Sequence, residues 1–215
     1  MNTLKKRWIE NRSLFYIVLG MAFFRTAIAD WSPVPSRSME PTIHPGDVLL
    51  INKTLLGPNL PFTEGRLLQL DQPQRGDIVT FTPPGKSDTY VKRVVGLPGD
   101  RVRMEGIQLV INDVPVALAV IDAGERSGVL RVMEQLGEHR HEFQIDLQRG
   151  MKEIEGEVLV PADSFFVMGD FRNDSEDSRY FGVVHQDRMI GKVTRLALSV
   201  ASERNWLKAP FTALQ

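Results

Sequence analysis

Thr89-Tyr90-Val91-Lys92-Arg93-Val94-Val95 is a short run rich in β-branched and aromatic residues, closed at once by the turn-forming Gly96-Leu97-Pro98-Gly99-Asp100. Such a run, too short for a stable helix and ended by glycine and proline, predicts a strand. Alternation places Tyr90, Lys92 and Val94 on one face and Val91, Arg93 and Val95 on the other. Comparable runs lie on both sides: Asp47-Val-Leu-Leu-Ile51, Asp77-Ile-Val-Thr-Phe81, Ile107-Gln-Leu-Val-Ile111, Phe165-Phe-Val-Met168 and Val193-Thr-Arg-Leu-Ala-Leu-Ser-Val200. Strands at such intervals, divided by Gly, Pro, Asn and Asp, predict a mainly β, antiparallel fold. Asn112-Asp113, between Ile111 and Val114, predicts a hairpin turn.

The stretch from about Glu105 to Glu155 is more charged and less regular, and reads as a β-rich insertion in the core rather than an independent domain. A short helix is expected within it, around Val129 to Leu136. His139 and His141 also fall there, without a metal-ligand pattern nearby, and are expected as two solvated side chains.

At the N-terminus, Lys5, Lys6, Arg7 and Arg12 precede the uninterrupted apolar run Leu14 to Phe24, which continues past Arg25 through Ala27-Ile28-Ala29 to Trp31. A membrane-spanning helix needs about 20 residues. Residues 13–31 meet that length, with Arg25 snorkelling to the headgroups and Trp31 at the interface. The expectation is a cytoplasmic leader (1–12), one transmembrane helix (13–31) and an extracytoplasmic domain (32–215). A signal peptide cleaved after Ala27-Ile28-Ala29 fits the same pattern, and a buried helix is the third reading.

The 26 basic and 27 acidic residues nearly cancel, which argues against nucleic acid as a partner. With no cysteine, disulfides, thiol catalysis and cysteine metal sites are excluded. Arg75-Gly76-Asp77 spells an adhesion tripeptide, but it sits directly before a strand and is set aside.

Three segments carry possible chemistry. In Pro35-Ser36-Arg37-Ser38-Met39-Glu40-Pro41-Thr42 two serines lie two apart between prolines. A serine hydroxyl needs an adjacent base to act as a nucleophile, and a serine-rich turn leading into a strand accounts for the segment equally well. Lys92 shares its strand face with Tyr90 and Val94; if that face is inward, desolvation lowers its pKa toward the range of a general base. A solvent-facing strand lysine is the alternative. Gly169-Asp-Phe-Arg-Asn-Asp-Ser-Glu-Asp-Ser-Arg179 packs Asp170, Arg172, Asp174, Asp177 and Arg179 after an apolar strand, as a polar turn or as a buried network that fixes a site.

Together these segments resemble bacterial type I signal peptidases. Ser38-Met39-x-Pro41-Thr42 is similar to the nucleophile box of that family, and Arg75-Gly-Asp-Ile-Val79 to the next. Lys92-Arg93-x-Val95-Gly-x-Pro-Gly-Asp100 is similar to the box of the lysine base, and Gly169-Asp170-x-Arg172-x-x-Ser175-x-Asp177-Ser178-Arg179-x-Phe181-Gly182 to the last. The order also matches. The resemblance implies a membrane-bound serine endopeptidase that removes leader peptides from exported preproteins at the outer (periplasmic) face of the inner membrane, with no cofactor. It implies Ser38 as nucleophile, Lys92 as general base, and the Ser36 hydroxyl with the Ser38 N–H as oxyanion donors. Ser175 is implied to orient the lysine amine, and Asp177 with Arg179 to form a supporting ion pair near Asp170; Tyr90 supports Lys92 from its own face. Two positions depart from the family pattern: Arg37, where glycine is usual, and Phe171, where asparagine is common.

Two other readings stand beside it: a peptidase of the same family dedicated to one conjugation or pilus protein, and a non-enzymatic, membrane-anchored β-rich binding module. Self-cleaving repressor proteases share the Ser–Lys chemistry but carry a DNA-binding domain and no anchor. One or both of Leu55-Leu-Gly-Pro-Asn-Leu-Pro-Phe62 and the C-terminal Trp206, Leu207 and Phe211 are expected to face lipid, with ordinary core packing as the alternative.

Overall fold

The computed structural model describes residues 12–18, 20–21, 29–54, 72–125, 127–199 and 212–213. In these residues short strands assemble into three antiparallel sheets. The largest runs in the order β1 (Ala29–Pro33), β2 (Val48–Asn52), β14 (Met189–Leu198), β3 (Ile78–Phe81), β4 (Tyr90–Gly96), β12 (Ser164–Met168) and β13 (Val184–His185), with β15 (Thr212–Ala213) against β14. A second comprises β11 (Glu157–Leu159), β5 (Arg101–Glu105), β6 (Gln108–Ile111) and β7 (Val114–Pro115); the third is β10 (His139–Asp146), β9 (Val129–Leu136) and β8 (Ala117–Asp122).

β3 and β12 are buried along their whole length because they lie inside the large sheet with both faces covered, which is why their sequences lack a polar repeat. Between them β4 divides its side chains as alternation requires. Val94 packs with Phe81 and Val167 beside Tyr90, whereas Val95 faces Val102 and Phe166. Asn112 and Asp113 join β6 to β7 at φ of 52° and 65°, the left-handed pair that a primed hairpin turn needs.

Two expectations in the insertion are corrected. Val129–Leu136 is strand β9, not a helix: it is the central strand of its sheet and hydrogen-bonds on both sides, from Val129↔Asp146 to Leu136↔His139 and from Ala117↔Gln135 to Asp122↔Arg131. His141 is buried rather than solvated, while His139 is half-buried, its ring against Gly76. Leu136 joins one apolar cluster with Val102 and Phe166, so the inserted strands share the core of the second sheet.

Residues 12–18 and 20–21 are helical, with Leu14, Phe15, Ile17 and Met21 exposed. Among the described residues no helix is long and apolar enough to cross a membrane. Residues 19 and 22–28 of the expected span, the 55–62 segment, and Trp206, Leu207 and Phe211 lie outside the described residues. The far end of that span is corrected, because Ala29, Asp30 and Trp31 belong to β1 and pair with Asn52, Ile51 and Leu50.

Candidate active site

The turn between β1 and β2 is pinned from beneath by Met39 and Ile43, both buried against Leu49 and Val193. It lifts Ser38 to the floor of a cleft walled by Ser32, Pro33 and Val34 at the end of β1 and by residues 88–92. From β4, Lys92 Nζ donates a hydrogen bond to Ser38 Oγ at 2.6 Å. The lysine is 3 % exposed and its Nζ lies 5.5 Å from the centre of the Tyr90 ring. Burial is the main force that pushes its pKa from 10.5 down to about 8; the Asp177, Asp170 and Glu176 carboxylates oppose that shift and Arg179 adds to it. Ser36 Oγ sits 3.3 Å from Ser38 Oγ. The cleft therefore holds a hydroxyl, an amine whose pKa is brought down to about 8, and a second hydroxyl beside the first.

The loop after β12 closes on this turn at Gly169, where a Cβ would overlap Ser175 Oγ and the Ser38 carbonyl oxygen. Asp177 fixes the loop: it accepts from the Gly169 N–H at 3.0 Å and pairs with Arg179 through Nε at 2.8 Å and Nη2 at 2.7 Å. Asp170 takes both arms of Arg93, Nε at 2.9 Å and Nη2 at 2.7 Å, and the Thr42 hydroxyl. Although burial opposes it, the Arg93 guanidinium holds the Asp170 carboxyl below the ordinary carboxylate range. Ser175 is brought to the site but not into the implied bond: its Oγ is buried and has no hydrogen-bond partner among the described residues. The Arg75-Gly76-Asp77 stretch is structural, with Arg75 bonded to Asp100 at 2.8 Å and Asp77 to Lys192 at 2.8 Å.

The sequence hid a second layer of polar residues. Glu134 on β9 pairs with Arg172, and the two side chains are 0 % and 2 % exposed. His141 Nε2 lies 3.3 Å from Glu134 and 3.8 Å from Asp170, between two arginine–carboxylate pairs. Burial, then the nearby Arg93, pushes the His141 pKa down, against the pull of Glu134 and Asp170. Burial works against Glu134, but Arg172 and His141 keep its carboxyl below the usual range. The two positions that depart from the resemblance touch each other: the Arg37 guanidinium covers the Phe171 ring at 5.4 Å. Glu134 and His141 face each other across the β9–β10 hairpin, but their other partners, Arg172 and Asp170, lie in a distant segment, so no local pattern marks the cluster.

Residues 5–197 match the model of a family described as signal peptidase, peptidase S26. A signal peptidase I of Pseudomonas fluorescens is 33 % identical over 202 residues, covering 87 % of this chain and 71 % of that protein. A signal peptidase I of Pseudomonas aeruginosa is 32 % identical over the same shares. A crystal structure of a signal peptidase I from Enterococcus faecalis is 30 % identical, covering 58 % of this chain and 98 % of that one, with a TM-score of 0.41.

Proposed function

Because this chain belongs to the signal peptidase family, peptidase S26, and is a serine peptidase, we propose that it removes leader peptides from exported preproteins through a Ser38–Lys92 dyad. The support is the 2.6 Å contact between a buried amine of lowered pKa and a serine hydroxyl at the floor of a cleft. As Ser38 Oγ bonds to the scissile carbonyl carbon, its proton passes to neutral Lys92 Nζ. The Ser36 hydroxyl and the Ser38 N–H take the charge that develops on the carbonyl oxygen. The Lys92 ammonium then protonates the leaving amine as the C–N bond breaks. Water, deprotonated by the same lysine, hydrolyses the acyl ester and regenerates Ser38.

β1 is the terminal strand of the large sheet as described, and its end lines the cleft. An extended peptide fits there by adding to that edge. Arg93–Asp170 ties β4 to the loop after β12 and Asp177–Arg179 fixes that loop, and the Ser175 hydroxyl, unpartnered among the described residues, is the group available to accept a hydrogen from the amine. The basic leader and the apolar residues 14–24 keep the enzyme at a bilayer, where leader peptides arrive.

Full-length protein in detergent, incubated with preproteins, should release one leader fragment per chain, with the cut read by mass spectrometry. Intact preproteins after long incubation would defeat the proposal. Ser36→Ala should lower kcat on the order of 10²-fold with little change in KM, because a preorganised donor acts on the oxyanion more than on the ground-state carbonyl. A raised KM at unchanged kcat would make Ser36 a binding residue instead.

A further inference from the structure

β10 touches both segments that hold the nucleophile, and Gln144 is the point of contact. Its backbone N–H donates to the Asp170 carbonyl at 2.8 Å and its carbonyl accepts from the Arg172 N–H at 2.9 Å, so the strand brackets Phe171. The Phe171 N–H in turn donates to the Ser38 carbonyl at 3.1 Å. On the other side, the Gln144 amide donates to Glu40 Oε2 at 3.3 Å. That same oxygen takes Arg37 Nε and Nη2, each at 3.1 Å, and Arg37 lies over the Phe171 ring. The contacts close a ring around Ser38: Gln144 to Glu40, Glu40 to Arg37, Arg37 to Phe171, and Phe171 back to both Ser38 and Gln144.

We infer that Gln144 is a positioning residue for the hydrolysis, through which the inserted hairpin sets the position of the backbone at Ser38. The inference rests on the dyad reading above. The Ser38 carbonyl belongs to the peptide that Ser38 forms with Met39 and the oxyanion N–H to the one it forms with Arg37, so a shift of the backbone at Ser38 moves two things at once, the Oγ that faces Lys92 and that N–H. An amide suits the position because it donates to a carboxylate without adding a second charge beside Glu40. A carboxylate at 144 would face Glu40 at hydrogen-bond distance and push the turn away.

The test uses full-length protein in detergent and a preprotein substrate. Gln144→Glu should lower kcat about tenfold, as expected for a small misplacement of reacting groups, with KM within about twofold. The exchanged pair Gln144→Glu with Glu40→Gln restores a donor facing an acceptor, and kcat should return to within about threefold of wild type. Gln144→Met, similar in volume but without the donor, should fall between them. Wild-type kcat in Gln144→Glu, a loss confined to KM, or no recovery in the exchanged pair would each overturn the inference. Ser38→Ala serves as the control: cleavage by it would refute the dyad reading rather than the Gln144 bond. Melting temperature keeps the bond testable even then. Gln144→Glu should melt a few degrees lower and the exchanged pair should recover; equal melting points would overturn the bond itself.

Discussion

Lys92→Arg is expected to abolish peptide cleavage, with kcat lower by on the order of 10⁴-fold or more, as for the loss of a member of a catalytic unit. Guanidinium stays protonated at any usable pH and cannot take the serine proton. Ser38→Ala should be equally inactive, and the double variant no worse than either single one. In the wild type, activity should rise with pH through about 8 and level off above it, since the base works only when neutral. Stability follows the same proton. The folded pKa of about 8 lies below the unfolded 10.5, so between those values the unfolded chain binds more protons and the Lys92 contribution to stability grows with pH. Below about 8 both states hold the proton and the penalty of the buried charge is complete. There Lys92→Met should stabilise the fold by on the order of 3 kcal/mol. Kinetic pH profiles and denaturant melts at pH 7 check both halves. Substantial activity in Lys92→Arg would remove the base from the mechanism.

The next largest effect is expected at the buried ion pair of Glu134 and Arg172, which no solvent reaches. Removing one partner strands the other charge in the core. Glu134→Leu or Arg172→Met should each cost about 3–5 kcal/mol, while the double variant should recover most of that loss. Arg172 also lies 4.0 Å over the Phe143 ring, so the methionine keeps part of its packing. If the double variant is as unstable as the worse single one, the pair acts as more than two opposed charges, and His141 between the carboxylates is the residue to vary next.

The legible parts of this molecule are those whose information is local. The alternation of Tyr90 to Val95 separated the lysine from the arginine correctly, because each face of β4 is lined by its own apolar neighbours. The Asn112-Asp113 turn was equally plain from its residue types. Val129 to Leu136 misled for a specific reason. Its apolar residues fall at helical spacings, and the strand period appears only when Glu134 is counted on the inward face with Val132 and Leu136. A carboxylate at an inward position reads as solvated until its arginine is known, and Arg172 is 38 positions away. The same blindness covered His141 and Gln144, whose roles depend on contacts across the chain. Arg37 and Phe171, unexplained in sequence, prove to be neighbours.

The Thr42–Asp170 bond joins residues 128 positions apart, whereas the Ser38–Lys92 contact spans 54. A chain emerging during synthesis can therefore bring serine and lysine together well before the segment that walls them in has been made. On the dyad reading, the amine is expected to stay hydrated and protonated, and the serine next to it inert, until Gly169 to Arg179 docks. Arrested chains ending before Asp170 should react with a serine-directed acylating agent no faster than the Ser38→Ala protein. If Ser38 and Lys92 act as the proposed dyad, reactivity then arrives late, on a ribosome's clock, once the segment from Gly169 to Arg179 has been made.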